Sequence, residues 1–169
     1  MLAMPLLLIS PVFASTYANE AQAKLRDIDD SVAQVRRQAD QMNTYVHIGT
    51  ASSDSDLSRL IEIREEVNHA GQEIESLEAE RSALAPWERQ ALDKTMPLMR
   101  EIAANTERAI LCFNENKGHL WASQFSNYVT NIYNESKVAN QNLGKSLELA
   151  HLRKEEHQLE RSASSASGM

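Results

Sequence analysis

The stretch Ala18–Val46, ANEAQAKLRDIDDSVAQVRRQADQMNTYV, decides the fold. Small or apolar residues fall at Ala18, Ala21, Leu25, Ile28, Val32, Val35, Ala39, Met42 and Val46, in alternating steps of three and four without a break. That spacing is a heptad seam, the pattern of a helix that packs along its length against other helices. At 1.5 Å per residue it makes a helix about 45 Å long. Gly49 to Ser55 then offers turn formers and no periodicity, so the first helix is predicted to end near His47.

Working outward, three more helices read from the same signal. The second opens on a cap at Ser55 or Asp56 and carries the seam Leu60, Ile63, Val67, Ala70, Ile74, Leu77, Arg81 and Leu84. Ala85-Pro86-Trp87 breaks it, with proline suited to the first position of the next helix, where its missing N–H costs nothing. The third seam is Leu92, Thr95, Met99, Ile102, Thr106, Ala109 and Phe113, stopping at Lys117-Gly118, and Pro97 inside it predicts a kink rather than a break. The fourth helix, from about His119 to Arg161, reads as trios repeating every eleven residues: Trp121, Phe125, Tyr128; Ile132, Ser136, Ala139; Leu143, Leu147, Ala150. An eleven-residue period predicts a nearly straight or slightly right-handed element. Short connections favour antiparallel neighbours, so the expected fold is all-α, an up-down-up-down four-helix bundle with a long fourth helix. Few glycines and prolines and a single cysteine fit that class, and Cys112 is left without an internal disulfide partner. It reads as a small half-buried residue or as half of an intermolecular disulfide.

Both ends of the chain differ from the middle. Met1–Ala18 has no charged side chain, and Leu6-Leu7-Leu8-Ile9 is followed by small residues that suit cleavage after Ala14, or alternatively after Ala18. Residues 1–14 are therefore expected to be a cleavable export leader, although no Lys or Arg precedes the apolar run. An uncleaved anchor is the competing reading; it would need about 20 apolar residues, and Ser10 and two prolines interrupt this run. The bundle domain is then 15–161, and the Ser, Ala and Gly of 162–169 read as a disordered tail. The expected location is periplasmic or extracellular, with no stable membrane anchor once the leader is gone.

Charge narrows the partners. Residues 54–84 hold nine acidic side chains against three basic ones, which accounts for nearly all of the net charge of −7. Nucleic acid is not expected as a partner, because binding phosphates takes clustered Lys and Arg and the chain shows only short pairs such as Arg36-Arg37 and Arg153-Lys154. The acidic second helix is either a solvated face or a contact for a basic partner.

Catalytic patterns are weak. Glu66 to His69 and Glu148 to His151 repeat the Glu-x-x-His spacing of di-iron bundles, yet neither pair is centred on its seam, and by count along the helices they differ in height by about 28 Å. There is no haem attachment motif, no glycine-rich phosphate loop and no nucleophile elbow. The chain reads as non-enzymatic, without cofactor or metal. What is left is one end of the bundle, where Tyr45, Phe113, Trp121, Phe125 and Tyr128 are expected to converge, either as large residues closing the core or as a ligand pocket. The overhanging Leu149, Leu152 and Leu159 suggest contact with a protein partner or self-association. The stripe Asn127, Asn131 and Asn134 reads as a solvent face.

At Pro86-Trp87, Gln90-Ala91, Asp93, Pro97-Leu98, Glu101 to Glu107 and Asn114-Glu115-Asn116, the chain resembles uncharacterised exported helical proteins of soil bacteria. The resemblance implies export and a helical fold, and carries over no activity, cofactor or catalytic residue.

Overall fold

The computed structural model describes residues 11–48, 53–116 and 124–166. They form four helices: α1 (Pro11–Ile48), α2 (Ser53–Ala79), α3 (Pro86–Glu115) and α4 (Phe125–Ala166). Each helix packs on its neighbour in sequence and α4 closes the ring on α1, while the diagonal pairs barely touch. Side-chain bonds fix the directions. Lys24, early in α1, donates to Ser76 and Glu80 late in α2, whereas Gln38, late in α1, donates to Glu62 early in α2. Asn105 of α3 reaches Glu135 of α4, and Asn43 and Asp29 of α1 meet Thr130 and Asn140 of α4 in reversed order. All neighbours are antiparallel, and the bundle is up-down-up-down.

The core is built from the heptad seams. Ala21, Leu25, Ile28, Val32, Val35, Ala39 and Met42 of α1 are all buried, as are Leu60, Ile63, Val67, Ala70, Ile74 and Leu77 of α2 and every member of the third seam. Pro97 stands inside α3 without ending it, its ring exposed on the outer face. Thr95 and Thr106, polar members of the third seam, satisfy themselves by donating to the carbonyls of Ala91 and Ile102 one turn back. Among the described residues no helix is long and apolar enough to cross a membrane.

Several boundaries and one register differ from the sequence reading. The second helix stops at Ala79, and Glu80 to Leu84 forms turns, so Leu84 enters the core from outside the helix while Arg81 stays at the surface bridging Glu78 and Asp93. Its start is also earlier: Ser53 opens α2, so Asp56 lies within the first turn rather than capping it. The third helix ends at Glu115, where the Asn116 backbone and side-chain N–H groups both donate to Cys112 O; the expected stop at Lys117-Gly118 lies outside the described residues. In α4, which begins at Phe125 rather than near His119, the buried residues are Phe125, Val129, Ile132, Ser136, Ala139 and Leu143. That is a plain heptad, not an eleven-residue period, because Val129 rather than Tyr128 takes the core position. Finally, α4 continues through Ser162 to Ala166, a stretch read as disordered tail. Ser162 and Ser164 donate to the carbonyls of Leu159 and Glu160, and Ala163 between them favours helix. At the other end, α1 begins at Pro11, four residues before the expected cleavage point after Ala14.

Candidate functional site

The end of the bundle where α1 and α3 finish and α2 and α4 start carries the residues singled out by sequence. Phe113 is on the last turn of α3 and Phe125 opens α4; they are 2% and 0% exposed. Their ring centroids are 6.1 Å apart at an interplanar angle of 54°, the tilted geometry that aromatic pairs prefer. The pair closes the core across the α3–α4 connection. Tyr128, one turn further along α4, is half-buried and donates its O–H to Gln124 Oε1 at 2.8 Å. It borders a shallow cleft of about 440 Å³ together with Arg108, Leu111, Cys112 and Glu115. Cys112 is half-buried there, and its Sγ accepts from Asn116 Nδ2 at 3.7 Å. Tyr45 belongs to α1, but its side chain, like Trp121, lies outside the described residues.

A feature at this same end went unnoticed in the sequence. Asp56, in the first turn of α2, is fully buried and neither carboxylate oxygen has a hydrogen-bond partner. Burial pushes its carboxyl above the usual carboxylate range, and the Arg59 guanidinium one turn on pulls it back. The signal was available: carrying the α2 seam back from Leu60 by one step of four lands on Asp56.

Other buried acids hold partners. Glu135 of α4 receives Asn105 Nδ2 at 3.2 and 3.3 Å on its two oxygens, and Glu88 of α3 accepts the Ala85 N–H at 2.8 Å, the acid half of a capping box over Pro86. Burial raises both carboxyls, while those hydrogen bonds lower them. These groups fasten helix ends and seams. Of the Glu-x-x-His pairs, Glu66 is half-buried and His69, Glu148 and His151 are exposed, with His151 Nε2 3.2 Å from Glu155. Among the described residues no three His, Cys, Asp or Glu side chains come together in a way that could hold a metal ion. The Asn127, Asn131 and Asn134 stripe is exposed.

A run of exposed apolar side chains lies on α4. Leu149, Leu152 and Leu159 are 54%, 52% and 70% exposed, and Val138 joins them at 45%. At about 100° per residue these four share one face, roughly 160° from the buried seam of the same helix. No protein-family model, no curated protein sequence and no solved structure matches this chain.

Proposed function

We propose that this protein is an exported, non-catalytic helical bundle that works by protein contact, with the far end of α4 as its contact surface. The observation that carries this reading is the leucine stripe. Leu149, Leu152 and Leu159, spread over the last three and a third turns before Arg161, all face water. A soluble helix gains nothing from such a face unless something packs on it. Export rests on the uncharged Met1–Ala18 segment and its small residues at Ala14. Self-association and a different protein partner both fit.

The test is sedimentation of the protein from Ser15 onward, paired with cross-linking in cells from a photoreactive residue at position 152. An assembly or a cross-linked band that disappears in the Leu149→Gln/Leu152→Gln/Leu159→Gln variant supports contact through α4. A strict monomer with no cross-linked product overturns it. A second reading, a small-molecule site at the aromatic end, is favoured by the cleft beside Tyr128. Thermal melts across a ligand panel test it, since any ligand that prefers the folded state raises Tm by mass action.

A further inference from the structure

At the opposite end of the bundle, where α3 begins, the seam of α4 changes character. The steps of four and three that bury Phe125 to Leu143 continue through Leu147 and Ala150 and then reach Lys154, His157 and Arg161. Arg153 lies beside them on the same side. The acids of this segment lie elsewhere around the helix: Glu148 and Glu155 are on the far face, and Glu156 and Glu160 lie toward the leucine stripe. Three cationic side chains and a histidine in nine residues thus face the direction in which the bundle core would continue.

They line a cleft of about 390 Å³, within the range of small-molecule sites, whose opposite wall is Trp87, Ala85 and Glu88 from the start of α3. Trp87 is half-buried against the core and presents a flat apolar surface. Among the described residues, the polar contributions from α1 are the uncharged Asn19 and Gln22. Glu20, the first acid in the chain, lies between them in sequence and pairs with Lys24 at 3.3 Å. Glu88 is the acid of the lining, and it is buried and engaged by the Ala85 N–H. His157 Nδ1 is 3.5 Å from Glu160, but among the described residues no carboxylate pairs with Arg153, Lys154 or Arg161. The positive end of the α3 dipole adds to the same field.

We infer that this cleft binds a phosphate group carried on an apolar or aromatic body, with Arg153, Lys154 and Arg161 on the phosphate and Trp87 against the body. A phosphate group brings one negative charge as a diester or up to two as a monoester, with two or three free acceptor oxygens, and so engages more than one cation at once. Guanidinium groups meet such oxygens two at a time. The bearer is a soluble phosphate ester or the headgroup of an anionic lipid.

Calorimetric titration of the protein tests this with four probes: phenyl phosphate, inorganic phosphate, and vesicles of phosphatidylcholine with and without phosphatidylglycerol. Saturable binding of phenyl phosphate at least tenfold tighter than inorganic phosphate supports a soluble ester. Binding confined to the phosphatidylglycerol vesicles supports a lipid headgroup. In either case the affinity falls at least tenfold in Arg153→Gln/Lys154→Gln/Arg161→Gln and is unchanged in Lys145→Gln, which sits on the other face of α4. The triple variant alters exposed positions only, and its melting curve checks that the bundle is intact. No saturable binding of any probe at millimolar concentration overturns the assignment, as does binding that the triple variant leaves undiminished.

Discussion

Asn140 of α4 donates from Nδ2 to Asp29 Oδ1 of α1 at 2.7 Å, joining residues 111 apart in the chain. The pair sits at the rim of the α1–α4 seam. Burial raises the Asp29 carboxyl, the Asn140 bond lowers it, and the neighbouring Asp30 raises it again, with Arg36 opposing. Removing Asn140 therefore strands a half-buried carboxylate. Asn140→Ala is expected to cost about 1–2 kcal/mol at pH 7, read by urea denaturation, because an unpaired buried acceptor loses its full hydration. An unchanged midpoint would show that water replaces the amide at no cost.

Asp56 sets a pH dependence of definite sign. Its folded carboxyl titrates above the unfolded value of about 4, so the stability it allows is complete at lower pH and declines as pH rises through the folded value and the buried group ionises. Asp56→Asn removes the charge but keeps the shape. The variant is expected to melt about 2–6 °C above the parent at pH 7, the response of a chain this size to roughly 1–2 kcal/mol, and to converge on it near pH 4. A variant less stable at pH 7 would mean that the ionised carboxylate is held favourably.

The register of α4 is checked at adjacent positions. Val129 is 1% exposed, while Tyr128 keeps its hydroxyl at the surface on Gln124. Val129→Ala is expected to cost about 2 kcal/mol through lost burial, and Tyr128→Phe less than about 1 kcal/mol through one partly solvated hydrogen bond. Equal losses in denaturant midpoints would contradict the heptad assignment.

Gly71 and Gly144 sit in the interiors of α2 and α4, and a Cβ added to either meets nothing within 4 Å. Each substitution to alanine is expected to stabilise by about 0.5–1 kcal/mol, since glycine loses more backbone entropy in a helix. Gly71 borders a groove of about 620 Å³ between α2 and α3, the most open of the four seams. If Gly71→Ala instead destabilises, backbone approach in that groove is closer than the geometry indicates.

Much of the bundle could be read from the chain because its core obeys one rule. Every seam residue of α1 from Ala21 to Met42 is buried, and so is every seam residue of α3. The sequence reading went astray where two residues compete for one position. Tyr128 and Val129 are both apolar enough for the core, and packing of α4 against α1 and α3 selects the valine. It also went astray where a polar residue stands on a seam: Asp56 at one end, and Lys154, His157 and Arg161 at the other. Thr95, Thr106 and Ser136 read as polar seam members and are buried, whereas Asp56 read as a helix cap and Arg81 as a seam residue although it stays at the surface; a polar side chain on a seam marks where the core has run out or has taken in a charge. The cleft at the start of α3 was not legible because Trp87 lies more than sixty residues from the cations it faces.

The Asp29–Asn140 bond also sets the level of α1 against the end of α4. Counting fourteen residues back from Asp29 reaches Ser15, and fourteen forward from Asn140 reaches Lys154, so the two stand level to within a turn. Pro11 to Ala14 stand beside the next four residues of α4. Cleavage after Ala14 would remove the α1 backbone level with His157, whose side chain is already 74% exposed, and would leave Ser15 level with Lys154. On the proposed reading, maturation would then shorten α1 to the level of Lys154 and set a new α-amino group, one more positive charge, beside the basic side of α4.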